Sequence, residues 1–412
     1  MPTESPTPTH EDILQKIAKE IDVPPEINEA VVARYQSLGS WLDRPNSTLK
    51  GYDPYVAPQG SFLIGTANRP ITDTDEIDVD LICRLNSSKG HQTQKQLKMA
   101  IGQEVMSYAQ AHSMKHTPEN KRRCWTLKYA DQRNFHTDIL PCISDVNTYR
   151  SRLSANGYMK LAINDRITQE AIAITDKTDP GYDVITLNWP SSNPLGFAVW
   201  FMQEMEDVLR YEKLELFKRG SPYAKVEDIP DHAVKTTLQK AIQILKRHRD
   251  LMFADDPEHK PISIIITTLA AHAYQGELTL VDSLTAILNG MDRFVEVVDG
   301  KRWIRNPVNP EENFADKWQE MPEKERNFYS WLDNARRDFG TYIRVNRPTD
   351  IPTGMANRLG AKVMDRVKEN FPISKSETPA VAAAPALITQ TSQMVERVKD
   401  RGTETAPWCD KG

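Results

Sequence analysis

Apolar and polar residues alternate from Ile77 to Leu85, with Ile82 the one departure. Ile77, Val79, Leu81, Cys83 and Leu85 fall on one side, and Asp78 and Asp80 on the other. A period of two puts alternate side chains on opposite faces of a strand. The pattern therefore predicts a half-buried β-strand with two carboxylates on its polar face, their Cα atoms roughly 6–7 Å apart. Phe135–Ile143 is a second candidate strand, with Phe135, Thr137 and Ile139 on one face and His136, Asp138 and Leu140 on the other. Residues 121–130 read as a third, turning into the second near 131–134.

A period near 3.6 takes over elsewhere. It predicts helices over Glu11–Ile21, Ile27–Leu42, Lys95–His112, Gly196–Tyr211, Thr236–Met252, residues 277–294, Glu323–Phe339 and Met355–Asn370. Pro25 suits the first turn of the helix over Ile27–Leu42. Strands and helices mix up to the Pro190–Pro194 stretch, and helical periods dominate after it. The expected class is α+β: residues 10–190 form a mixed sheet with flanking helices, and residues 191–371 a helical second lobe. Residues 1–9, rich in Pro, Thr and Ser, read as a disordered start, and residues 372–412, of Ala/Pro/Ser type, as a flexible tail.

Composition narrows the function. The 412 residues are 39% hydrophobic and 26% charged, enough for a sizeable core, with a net charge of -5. No global basic field exists to draw nucleic acid, so constitutive nucleic-acid binding is not expected and any polyanion site is local. Cys83, Cys124, Cys142 and Cys409 form no C-x-x-C pair, and three of them fall in candidate strands. A reducing, cytoplasmic setting follows from that usage. The polar start is no signal peptide, and the longest apolar run, Phe197–Met202, is too short for a membrane span.

The chemistry lies in the carboxylates. Asp78 and Asp80 side by side repel each other unless a cation neutralises them, and hard oxygen ligands suit Mg²⁺ or Mn²⁺ with substrate phosphates completing the shell. Asp138 on a neighbouring strand supplies the third carboxylate that a two-ion site requires. Upstream, Gln59-Gly60-Ser61 lies where a tight turn presents backbone N–H groups and a hydroxyl to a phosphate. Blander readings stand beside these: a solvent-facing polar strand and an ordinary turn. Lys121, Arg122, Arg123 and Lys128 read first as a solvated edge, and second as a phosphate contact. His112 and His116 lack the Glu and the third ligand of a zinc site, and no P-loop or G-x-S-x-G motif is present.

A Gly-Ser turn, then h-D-h-D-h, then h-x-D-h (h, apolar) resembles the nucleotidyltransferase superfamily of DNA polymerase β. In wording it resembles the cGAS/DncV-like nucleotidyltransferases of bacteria. Ser192–Phe201, Leu238–Asp250, Lys260–Ala271 and Asn306–Trp318 resemble that family's helical half. The resemblance implies a bilobed polymerase-β-like fold braced by a long N-terminal helix, here Ile27–Leu42. It implies catalytic, metal-binding Asp78, Asp80 and Asp138 with two Mg²⁺ or Mn²⁺ ions. It implies nucleotide contacts from Gln59, Gly60, Ser61, Lys246 and Ser263. For Ser263 the plain alternative is helix capping. Of the basic residues Lys240, Lys246, Arg247 and Arg249, only Lys246 is expected to reach phosphate, and the others to be solvated. The implied activity joins nucleoside triphosphates, ATP among them, into a cyclic di- or trinucleotide in antiphage defence. The alternatives are a linear or RNA-end nucleotidyltransferase and a non-catalytic nucleotide sensor. A partner that activates the enzyme or conjugates Gly412 also belongs to the family picture.

Overall fold

The computed structural model describes residues 8–72, 75–129, 135–220, 225–228, 234–344 and 350–370. The expected disordered start, but for its last two residues, and the tail with Gly412 lie outside the described residues.

Helix α1 (His10–Ile21) opens with a capping box in which Thr9 and Asp12 satisfy each other's backbone N–H. Pro24 and Pro25 then reset the chain, and Pro25 begins α2 (Pro25–Leu42). The sheet follows: β1 (Tyr55–Pro58), the single-turn α3 (Gly60–Leu63), β2 (Ile77–Leu85), α4 (Gln94–Ala111), β3 (Glu119–Asn120), β4 (Trp125–Tyr129) and β5 (Phe135–Ser144). After α5 (Val146–Ala155), two short strands close it, β6 (Ile172–Ile174) and β7 (Ser191–Ser192).

The spatial order is β1-β2-β5-β4-β3. Among the described strands only β2 and β5 run parallel, with Asp80 opposite Asp138. Along its other edge β5 pairs antiparallel with β4 over Phe135–Ile139 and then with β6 over Cys142–Ser144. The β2 residues that alternation assigns to one face are all buried, and α2 and α4 cover them with Val31, Leu38, Leu97, Ile101 and Val105. The face bearing Asp78, Asp80, His136 and Asp138 is thereby left uncovered by these helices.

The helical half has its own core. Helices Pro194–Gln203, Thr237–Met252, Ser263–Ala273, Leu280–Gly290 and Pro322–Tyr342 pack around Phe201, Leu245, Leu269, Leu284 and Trp331. Ile13, Leu14 and Ile17 of α1 belong to this core, whereas the buried residues of α2 belong to the sheet. The two N-terminal helices thus divide between the halves what one long helix was expected to brace.

Three local expectations differ. The helix over Gly196–Tyr211 is broken at Glu204–Met205 into Pro194–Gln203 and Glu206–Lys218. The Pro/Asn-rich stretch after residue 304 contains a hairpin, Arg305–Asn306 paired with Asn309–Asn313, and a second hairpin pairs Glu296–Val298 with Lys301–Trp303. The cations of Thr237–Met252 are not solvated: Arg247 and Arg249 are 2% and 3% exposed. The physical reason is that they meet polar partners in the interior, Arg247 the Arg69 carbonyl and Arg249 the Pro261 carbonyl and Asp250. Among the described residues no helix is long and apolar enough to cross a membrane.

Candidate active site

Asp78 and Asp80 stand on β2, and Asp138 stands across from Asp80 on β5, because β2–β5 pairing aligns Asp78 with His136 and Asp80 with Asp138. The turn before them closes on the same point. The Gln59 N–H donates to the Asp80 carbonyl at 2.8 Å, and Gly60 follows with φ +63°. A Cβ on Gly60 would lie 2.8 Å from Asp80 Oδ2, so only glycine permits this approach. Ser61 then starts the first turn of α3, whose leading N–H groups have no intrahelical acceptor.

Asp80 is open to solvent yet crowded by protein on several sides, as a group on a cleft wall is. That crowding comes first, and the neighbouring carboxylates Asp138 and Asp78 second, in pushing its pKa up to about 6, against a smaller pull from His136. Asp138 Oδ1 accepts from the Thr126 hydroxyl and lies 3.3 Å from His136 Nε2 and 3.7 Å from Lys121 Nζ. His136 Nδ1 is 3.2 Å from Glu76 and 3.6 Å from Asp78, whose side chain is 81% exposed.

The strand register is the one alternation implies; the side chains do not yet share one point. Among the described residues no three His, Cys, Asp or Glu side chains are gathered closely enough to hold a metal ion as they stand. Asp138 instead accepts from Thr126 on β4, and Asp78 lies 3.6 Å from His136 Nδ1. The donor set itself fits Mg²⁺ or Mn²⁺: hard carboxylate oxygens on rigid strands, crowded enough to raise the pKa of Asp80.

Thr126 donates its hydroxyl to Asp138, and His136 and Lys121, hydrogen-bonded to each other at 3.2 Å, stand beside it. His136 was legible as a residue two positions away on the same strand face. Thr126 follows only from the β4–β5 register, which sets it opposite Asp138. In the basic cluster, Lys121 reaches the site, but Arg122 and Arg123 turn to Asp176, and Lys128 turns to Glu119.

The other two nucleotide contacts suggested by resemblance lie in the helical half. Lys246 is 7% exposed and donates to the Thr66 carbonyl at 2.8 Å. Thr66 in turn donates its N–H to the Ser61 carbonyl at 2.9 Å, so Lys246 is one hydrogen-bonded step from the Gly-Ser turn. Burial pushes its pKa down to about 8. Three more residues of that helix grip the same segment: Gln239 holds the Ile64 carbonyl, Gln243 that of Ala67, and Arg247 that of Arg69. Ser263 does not cap its helix. Ile262 holds the cap position, and the Ser263 hydroxyl accepts from Arg249 Nη1 at 3.0 Å.

Comparison with known proteins follows this geometry. Residues 54–141 match the family described as cyclic GMP-AMP synthase DncV-like, nucleotidyltransferase domain. The chain is 29% identical over 331 residues to the c-di-GMP synthase of Roseivirga ehrenbergii, covering 80% of this chain and 78% of that one. It is 24% identical over 325 residues to the cyclic dinucleotide synthase CdnG of Bradyrhizobium diazoefficiens, covering 75% and 70%. The fold matches the structure of the Bradyrhizobium diazoefficiens CD-NTase CdnG in complex with GTP. The TM-score is 0.63 at 20% identity, over 90% of this chain and all of that one. The matched segment encloses Gln59, Gly60, Ser61 and all three aspartates, and the similarity runs on through the helical half. Residues 54–141 thus match a DncV-like nucleotidyltransferase domain, and over most of its length the chain is similar to cyclic dinucleotide synthases.

Proposed function

We propose that the protein condenses nucleoside triphosphates into a cyclic dinucleotide, releasing pyrophosphate, with GTP the first substrate to test. The observation that carries this reading is the alignment of Asp80 with Asp138 across parallel strands, with Gly60 held against Asp80. The names of the two relatives, a c-di-GMP synthase and a cyclic dinucleotide synthase, support the product class.

In this reading Asp78, Asp80 and Asp138 would hold two Mg²⁺ or Mn²⁺ ions, which would supply positive charge at the α-phosphate and acidify the acceptor hydroxyl. The protein's part is positioning and charge. The Gly60-Ser61 turn offers backbone N–H groups and a hydroxyl to the donor triphosphate, with Gln59 fixing the turn to β2. Lys246 spends one of its three N–H groups on Thr66, and the other two serve the phosphates; Ser263, which accepts from Arg249, is assigned to the donor phosphate by the family resemblance alone. The acceptor oxygen forms a bond to the α-phosphorus as the bond to the β-phosphate oxygen breaks. A second round on the linear intermediate closes the ring. A signalling role in antiphage defence belongs to this proposal through the family resemblance.

The test is incubation of the full chain with each labelled triphosphate and with all four, plus Mg²⁺ or Mn²⁺, then phosphatase digestion and mass spectrometry. A phosphatase-resistant cyclic dinucleotide is the expected product. A product that loses its terminal label to phosphatase would make the enzyme a linear-oligonucleotide transferase instead.

A further inference from the structure

Away from the carboxylates, α1 and the start of the Thr237–Met252 helix flank an open depression of about 520 Å³. Lys16, Lys19, Lys235 and Lys240 line it against only two acids, Asp12 and Asp22. The acids are already satisfied. Asp12 accepts from the Thr9 backbone and hydroxyl at 2.9 and 2.7 Å. Asp22 Oδ1 accepts from the Val23 N–H at 2.7 Å, from Gln243 at 2.9 Å, and from Lys235. Of the lysines, Lys16 pairs with Glu20 at 3.1 Å. The side chains of Lys19 and Lys240 make no hydrogen bond or ion pair among the described residues, although Glu212, Glu11 and Asp22 act on Lys240 from a distance.

From this excess of cation donors over acceptors, in a space of ligand size, we infer that the depression binds a phosphate-bearing small molecule of about nucleotide dimensions. Lysine ammonium groups recognise phosphate as point charges without demanding one geometry, which suits a cluster drawn from two helices and a connection. Burial lowers the pKa of Lys235 and Lys240 from the ordinary lysine value, and an anion placed among them would favour the charged forms. The site also adjoins the catalytic half. Gln243, on its wall, donates to both Asp22 and the Ala67 carbonyl, and Asn68 bridges to Asp22. A ligand that draws Lys235 away from Asp22 therefore pulls on the segment following Ser61.

Titration calorimetry of the full chain with inorganic pyrophosphate in EDTA tests the site without metal at the aspartates. Wild type binds in one event. Asp78→Asn with Asp80→Asn binds equally well. Lys19→Gln with Lys240→Gln binds at least tenfold more weakly. Lys19→Gln alone, at an exposed position, weakens binding about threefold and guards against misfolding of the double variant. Competition by a nucleoside triphosphate or a cyclic dinucleotide supports the site and assigns its ligand to the reaction's own nucleotides. Pyrophosphate that neither displaces supports it and assigns another phosphorylated metabolite. No binding by wild type, or unchanged affinity in both lysine variants, overturns the inference.

Discussion

Asp80 and Asp138 face each other across a parallel pair of strands, β2 and β5. Two strands, rather than two loops, therefore set the separation of these carboxylates. A slip of one residue would turn Asp138 toward α2 and α4 and bring Ile139 to the cleft side. The packed face guards against that slip: Val79, Leu81, Thr137 and Ile139 are all buried. The stability of the sheet and the placement of these two carboxylates are one constraint.

Gly60→Ala tests how closely the turn must approach. The added Cβ meets Asp80 Oδ2 at 2.8 Å, at a backbone conformation that costs a non-glycine residue about 1–2 kcal/mol. Turnover should fall at least tenfold, while the melting temperature moves by a few degrees at most. Pyrophosphate release and a thermal melt, measured side by side, check this. Wild-type turnover in the variant would show that the turn need not approach Asp80.

Gly102→Ala probes the opposite face. A Cβ there would sit 2.1 Å from Trp125 Cζ2, and Trp125 is held by a hydrogen bond from its indole N–H to the Lys98 carbonyl. Overpacking of this kind costs about 1–3 kcal/mol. Chemical denaturation should show that loss, and the nucleotide KM should stay close to wild type because α4 lies behind the sheet.

Asp176 ties the β4 side of the sheet to the chain that follows β6. Burial works against its ionisation, but hydrogen bonds from Arg122, Arg123 and Thr178 outweigh it and hold the carboxyl well below the usual range. A depressed carboxyl adds stability above the unfolded-state pKa and loses it as pH falls toward the folded value. Asp176→Asn should therefore cost about 2–3 kcal/mol at pH 7, the scale of charge-assisted hydrogen bonds. Urea melts of both proteins from pH 7 down to pH 3 should show the gap narrowing below about pH 4. A gap that widens on acidification would contradict the assignment.

Much of this was readable from residue order. Alternation over Ile77–Leu85 gave β2 to the residue, and the acids on it. The same reading put Asp138 beside His136 on the polar face of β5. What escaped was structure that arises only when distant segments dock. Arg247 and Arg249 look like solvated charges in a helical pattern. They are buried because carbonyls at Arg69, about 180 residues away in the chain, and at Pro261 come to meet them. Strand β6 is three residues long, too short to display a period, and exists because β5 offers it a free edge beyond β4. The break at Glu204–Met205 has no glycine or proline to announce it, and nothing in the sequence of that stretch explains it.

The central claim is that Asp78, Asp80 and Asp138 act together on a triphosphate held at the Gly60-Ser61 turn. The most direct measurement is pyrophosphate release from nucleoside triphosphates with Mg²⁺ or Mn²⁺, comparing wild type with Asp78→Asn plus Asp80→Asn and with Asp138→Asn. Release should fall by at least a thousandfold in both variants, with folded, wild-type-like melting curves. Release at the wild-type rate from either folded variant would contradict the account.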